Sequence, residues 1–315
     1  MGRGIALTMA RAGFSTLLFD LNPQALELAK QEHEKELAKS VEKGKITEAE
    51  KAKTLALIRY TPELEECLAE LFIEAIVEQP GAKVALFNQL AELNHGDCIF
   101  ASNTSSLSIT ELAKQILHPE RVIGLHFFNP ATLMKLVEVV QTPFTKPEIL
   151  ETAIALIQQI GKTAVVCTDA PGFIVNRVAR PYYIESLRLA EEKAASIEQI
   201  DRLLESAGFR MGPFRLMDLI GNDINYAVSC SVYEQLGKPS RLEPSWIQQQ
   251  LVQQGKWGKK SGEGKTDYRR RLTMLRSGQL RLVVRKHLKN TSAQLVEYKP
   301  DGDAIIASAH STELK

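Results

Sequence analysis

Three short blocks carry side chains able to move a proton beside a carbon–oxygen bond. The first is Ala101-Ser-Asn-Thr-Ser-Ser-Leu107. The second is His126-Phe-Phe-Asn-Pro130, followed closely by Lys135-Leu-Val-Glu138-Val-Val140. The third is Pro171-Gly-Phe-Ile-Val-Asn176-Arg177. An imidazole titrates near neutrality and suits removal of a hydroxyl proton as hydride leaves the adjoining carbon. Glu138 lies inside an apolar alternation, where an unpartnered carboxylate is costly, and His126 is its natural partner. Such a carboxylate would hold the ring tautomer and stabilise the imidazolium. Ser105 and Asn176 offer donors that could position an oxygen and stabilise charge on it. Each residue also has a plainer reading. A histidine ending an apolar strand is usually a satisfied, partly buried side chain; Ser105 could cap a helix; Asn176 could serve backbone near a helix start.

These blocks need a scaffold that brings them to one edge. Up to about Ala170 the chain alternates strand-like and helix-like segments. Strands are expected at Ser15–Asp20, Leu71–Glu78, Cys98–Ser102, Arg121–Phe128, Lys135–Val140 and Ala164–Thr168. Helices are expected at Gly2–Ala12, Ala82–Leu93 and Pro147–Ile160, with a charged helical pair at Pro23–Lys43 and Thr47–Ile58. Ser108-Ile-Thr-Glu111 reads as a capping box. The alternation implies an α/β fold with a Rossmann-like, mostly parallel sheet covered by helices. Ser105 and His126 then fall at the carboxyl ends of strands, where such sheets collect ligands. After Pro171-Gly172 the pattern becomes helical, with a kink expected at Pro181 and a second capping box at Ser196–Gln199. We therefore read residues 1–170 as a cofactor domain, 171–268 as an all-helical domain, and 269–315 as a tail whose pattern fits neither.

Met1-Gly2-Arg3-Gly4 runs straight into a helix, and Asp20 ends the next strand. Gly2 could be the last glycine of a dinucleotide-binding turn, with Asp20 the acid that holds the ribose hydroxyls. A carboxylate there repels a ribose phosphate and favours NAD over NADP. Small residues opening a helix are also common for packing alone. The strand and first glycines expected before Gly2 are missing, so the neighbouring strands should lose ladder partners, and a longer protein is the expected source.

The blocks closely resemble those of the L-3-hydroxyacyl-CoA dehydrogenase family of fatty-acid oxidation, over roughly Met1 to Tyr268. The resemblance implies NAD as cofactor, an acyl-CoA substrate lying between the domains, and a homodimer formed through the helical domain. It implies His126 as catalytic base, Glu138 as its partner, and Ser105 and Asn176 as catalytic and substrate-holding groups. Gly2, Asp20, Glu78, Lys83, Asn129 and Lys260 match cofactor-contacting positions, although Glu78 and Lys83 also read as solvated charges at a helix start. Lys43 falls near a coenzyme A contact. Gly212-Pro-Phe-Arg-Leu-Met-Asp-Leu-Ile-Gly221 and Gly258-Lys-Lys-Ser-Gly-Glu-Gly264 resemble the family's C-terminal blocks. Lys265-Thr266 departs from it, standing where two aromatics are usual. A non-catalytic acyl-CoA-binding dimer that no longer holds NAD is the alternative reading.

Bulk properties narrow the field. The 315 residues include 39 Lys and Arg against 38 Asp and Glu, which gives no field to draw in nucleic acid or an anionic membrane. The four cysteines are far apart, without metal-ligand or disulfide-framework spacing. No apolar run reaches the roughly 18 residues of a membrane span, and no secretory signal opens the chain. A cytoplasmic location is the expectation. His33, His95, His118, His287 and His310 have no catalytic context and are expected at the surface.

Overall fold

The computed structural model describes residues 1–261 and the backbone of three strands at 281–286, 291–297 and 304–310; Lys260 is described by its backbone alone. The chain divides into two compact units, Met1–Arg177 and Val178–Lys315.

The first unit runs α1 (Gly2–Arg11), β1 (Thr16–Phe19), α2 (Pro23–Glu42), α3 (Glu48–Ala56), β2 (Ile58–Thr61), β3 (Leu71–Glu74), α4 (Pro80–Leu93), β4 (Ile99–Ser102), α5 (Ile109–Ala113), β5 (Val122–Phe127), β6 (Leu136–Gln141), α6 (Pro147–Gln159) and β7 (Thr163–Thr168). β3 to β7 form one sheet in chain order, parallel except for the antiparallel β5–β6 pair. β1 and β2 pair in parallel as a separate two-stranded sheet, so β1 and β3 each keep one edge without a ladder partner among the described residues.

Strand alternation divides the core. Val122 and Val140 pack with Phe87 of α4 and with Ile109 and Leu112 of α5 on one face. Ile123, Leu125, Val137 and Val139 pack with Ile5 and Met9 of α1 and with Ile149, Ala153 and Ile157 of α6 on the other. Side chains enclosed on both faces explain why these strands read as continuous apolar runs. α1 serves two cores, because its Leu7 and Ala10 pack with Leu37 and Ile58. Gly124 is required by close approach. A Cβ there would lie 2.8 Å from Cβ of Val140 and 3.0 Å from Ile109.

Several sequence expectations change. The strand expected over Leu71–Glu78 stops at Glu74, whose carboxylate accepts the Ile76 N–H at 2.6 Å and turns the chain toward α4. Ile58–Thr61, for which the sequence offers only the end of a helix at Ile58, is a strand; four residues between charged segments carry too little periodicity to reveal it. His33, expected at the surface, is buried, with Nδ1 2.8 Å from the Tyr60 hydroxyl and Nε2 2.7 Å from the Arg3 carbonyl oxygen. Spacing along α2 turns it toward α1 and β2, which a single histidine in a charged helix could not announce. His95 and His118 are exposed, while the side chains of His287 and His310 lie outside the described residues.

The helical segment comprises α7 (Val175–Glu191), α8 (Ile197–Ser206), α9 (Pro213–Ile220), α10 (Asn222–Gln235) and α11 (Trp246–Gln253). Tyr183, Leu187, Ile200, Phe214, Met217 and Leu251 form its main core. Pro181 lies inside α7, and the Ser196–Gln199 capping box is complete. The box expected at Ser108 forms only by half. Ser108 accepts from the Glu111 N–H, while Asp169 takes the Ser108 hydroxyl and the Thr110 N–H. After Arg269 the described parts are β8 (Arg281–Lys286), β9 (Thr291–Glu297) and β10 (Ala304–His310), an antiparallel sheet in the order β10-β9-β8. Among the described residues no helix is long and apolar enough to cross a membrane.

Candidate active site

The antiparallel β5–β6 register sets His126 opposite Glu138. Alternation turns His126 to the face of Val122, and Glu138 to that of Val140. The imidazole Nδ1 lies 2.7 Å from Glu138 Oε2, and both side chains are almost wholly enclosed. An ionised carboxylate can only accept, so Nδ1 carries the hydrogen and Nε2 of the neutral ring is free to accept a proton. The other carboxylate oxygen, Oε1, accepts the Ile174 and Val175 N–H groups at 2.9 and 2.8 Å. These amides open α7, where unpaired N–H groups and the helix dipole stabilise negative charge. Phe128 and Phe173 flank the imidazole, with ring centroids 4.5 and 5.7 Å away. Its orientation is therefore held by packing as well as by Glu138.

Ser105 and Asn176 also come together. Asn176 Nδ2 donates to the Ser105 carbonyl oxygen at 3.2 Å, tying the segment after β4 to the start of α7. Asn103 Oδ1 accepts the Phe127 N–H at 2.8 Å, which joins the same segment to β5 beside His126. Glu78 holds the Ser105 loop. Its Oε1 accepts from the Thr104 hydroxyl, from the Ser105 N–H at 3.1 Å and from the Ser106 hydroxyl at 3.2 Å. Burial pushes the Glu78 carboxyl up, but the Thr104 hydrogen bond and the Lys83 charge outweigh it and hold the group below its ordinary value. Lys83 is not a solvated helix-start charge. Its side chain is 1% exposed, and Nζ lies 2.7 Å from Glu74 and 3.1 Å from Glu78. Sequence reasoning missed Glu74 and Asp169; each is one carboxylate at a strand end, with no local motif to distinguish it.

The other expected site residues are more dispersed. Gly2 opens α1, where an added Cβ would meet only Ala75, at 3.8 Å. Asp20 is exposed just after β1 and accepts the Asn22 N–H at 2.9 Å. Asn129 is exposed and precedes a cis peptide bond to Pro130. Lys43 is exposed at the end of α2, and no described hydrogen bond links it to the His126 cluster. The Lys260 side chain lies outside the described residues, as do Lys265 and Thr266.

The first unit has features that fit a dinucleotide. The N-terminus of α1 offers free amide donors, with a glycine at its first position. Asp20 stands at the carboxyl end of β1, and Leu21, Ile76 and Val77 leave apolar surface uncovered after β1 and β3. A doubly covered α/β sheet of this kind belongs to the class that binds its ligands beyond the carboxyl ends of the strands, the edge where His126 and the Ser105 loop lie.

Residues 1–170 match the 3-hydroxyacyl-CoA dehydrogenase NAD binding domain, and residues 172–268 match the C-terminal domain of the same family. The chain belongs to the 3-hydroxyacyl-CoA dehydrogenase family, whose cofactor is NAD. It is 48% identical over 271 residues to 3-hydroxyadipyl-CoA dehydrogenase of Escherichia coli, a match covering 85% of this chain but 57% of that protein. It is 41% identical over 278 residues to the mitochondrial hydroxyacyl-coenzyme A dehydrogenase of Sus scrofa, covering 85% and 88%. Among solved structures, 3-hydroxybutyryl-CoA dehydrogenase of Escherichia coli superposes with a TM-score of 0.82 at 42% identity, covering 97% of this chain and 64% of that one. The Ralstonia eutropha (S)-3-hydroxybutyryl-CoA dehydrogenase gives 0.80 at 33% identity, covering 84% and 94%. These matches do not favour the non-catalytic alternative.

Proposed function

We propose that this protein interconverts L-3-hydroxyacyl-CoA and 3-oxoacyl-CoA, with His126 as the proton acceptor. The observation that carries the reading is the enclosed His126–Glu138 pair, in which every strong contact of the carboxylate fixes the ring with Nε2 available. NAD, when bound, supplies the hydride acceptor for the oxidation. In that direction the substrate hydroxyl gives its proton to His126 Nε2, and Glu138 stabilises the imidazolium that forms. In reduction the same nitrogen returns the proton. Ser105 and Asn176 hold the substrate oxygen, and the Asn176–Ser105 bond keeps the two donors in register. Gly2 at the head of α1, Asp20, Glu78, Lys83, Asn129 and Lys260 form the cofactor side. A carboxylate at Asp20 selects NAD over its ribose-phosphorylated form. Lys43 contributes to coenzyme A binding from the end of α2.

Residues 171–268 act as the substrate and dimerisation domain. Leu203, Phe209, Leu219 and Ile224 leave large apolar side chains exposed there, as a homodimer face would. A cytoplasmic location accords with four free cysteines.

The test is NADH binding by fluorescence together with acetoacetyl-CoA-dependent NADH oxidation, with His126→Ala as control. Binding and turnover by the wild type, with turnover lost in H126A, support the reading. NADH binding with no turnover of any 3-oxoacyl-CoA would sink the substrate assignment. Sedimentation equilibrium tests the dimer; a monomer at micromolar concentration removes that part.

A further inference from the structure

Glu74 has no part in the chemistry above, yet its side chain is as enclosed as that of Glu138, at 1% exposure. It ends β3 and accepts from three different segments. The Ile76 N–H comes from the turn after β3 at 2.6 Å, Lys83 Nζ from the first turns of α4 at 2.7 Å, and the Ser102 hydroxyl from the end of β4 at 2.7 Å. Lys83 then bridges to Glu78, whose other oxygen holds Thr104, Ser105 and Ser106. The two carboxylates thus grip the Ser102–Ser106 segment at both ends, with one ammonium between them.

Stability alone is a poor reason for this arrangement. Desolvating two charges roughly offsets their attraction, and well-packed apolar residues would serve a core as well. Apolar residues would not, however, fix the direction of a loop. Hydrogen bonds donated by three segments to a single carboxylate do, because each donor has a required distance and angle.

We propose that Glu74 is a positioning residue for the dehydrogenase reaction, acting through Ser102 and the Lys83–Glu78 bridge to set the place of Ser105. The inference rests on the function proposed above. Replacing Glu74 by glutamine keeps the size of the side chain but turns one acceptor oxygen into a donor. The carbonyl oxygen keeps the Ile76 N–H and Lys83, so the NH2 faces Ser102, whose hydroxyl must turn from donor to acceptor while Lys83 loses the negative charge beside it; both changes shift the Ser102–Ser106 segment.

The experiment is a double-mutant cycle of Glu74→Gln and Ser105→Ala, reading kcat and KM for acetoacetyl-CoA, with melting temperature and NADH fluorescence measured alongside. Misplacement of a reacting group by about 1 Å lowers rate up to roughly a hundredfold, so E74Q alone should lower kcat by about tenfold to a hundredfold. In the S105A background the further fall should shrink to under about threefold, because the group being positioned is already gone. Equal factors in both backgrounds, or a wild-type kcat retained in E74Q, overturn the proposal while leaving the enzyme reading intact. An S105A protein with unchanged kcat overturns both this proposal and the role given to Ser105. If E74Q does not fold, Ser102→Ala takes its place in the cycle. It removes one donor without unpairing a charge, and the same two patterns decide.

Discussion

Replacing Glu138 with glutamine exchanges an oxygen for an NH2 group and reverses the hydrogen bond to His126. In the native site Oε1 accepts the Ile174 and Val175 N–H groups, and Oε2 accepts from Nδ1. Two backbone donors fix the glutamine carbonyl oxygen on the α7 side, so its NH2 must face the imidazole. Nδ1 then has to accept, and the ring hydrogen moves to Nε2, the atom that should receive the substrate proton. The ring also loses the carboxylate that stabilises its charged form. In other histidine–carboxylate pairs the corresponding amide replacement lowers kcat by about 10⁴-fold, roughly 5 kcal/mol at 1.36 kcal/mol per tenfold. The flanking Phe128 and Phe173 should keep the ring in place, so the loss belongs to tautomer and charge rather than to misfolding. The assay is 3-hydroxybutyryl-CoA-dependent NAD reduction, the direction in which Nε2 must accept a proton, under saturating substrate, with NADH affinity and melting temperature as controls. A fall of at least about a thousandfold in kcat with NADH affinity retained is expected. An E138Q enzyme within about tenfold of wild type would refute the tautomer argument, because that argument leaves the glutamine no compatible arrangement.

Gly124→Ala should destabilise the first unit by about 1–3 kcal/mol through overpacking against Val140 and Ile109, read as a lower urea midpoint; an unchanged midpoint would mean that β5 and β6 yield easily. His33 has its pKa lowered, first by burial, so the folded protein resists protonation that the unfolded chain accepts near pH 6.5. Its contribution is therefore fully present above that pH and is lost as pH falls from about 6.5 toward the depressed folded value. The wild type should lose more stability than His33→Gln between about pH 7.5 and 5.5 in urea titrations, and equal losses would contradict the assignment. Asp20→Ser should narrow the preference for NAD over NADP in equilibrium binding, mainly by raising NADP affinity; an unaltered ratio would remove Asp20 from the ribose site.

Much of the architecture was legible because it rests on local patterns. Apolar runs such as Val122–Phe127 and Leu136–Gln141, bounded by turn residues, marked strands whose two faces both meet helices. Ser196 and Gln199 announced a cap that forms through contacts three residues apart. His126, Glu138, Ser105 and Asn176 could be singled out by residue type and block, since an acid inside an apolar strand asks for a partner wherever it occurs. The extent of β3 and the existence of β2 were not legible, because a buried carboxylate ends the one and pairing with β1 defines the other.

What residue order alone determined was which groups this protein has for chemistry and the kind of sheet that carries them. Only the tertiary structure decided how they meet. The antiparallel register of β5 and β6 sets His126 across from Glu138, twelve positions along the chain. The same long-range packing turns His33 inward and makes Glu74 the junction of three segments. Strand register and burial are properties of elements brought together from distant positions, and no short window of sequence contains both partners.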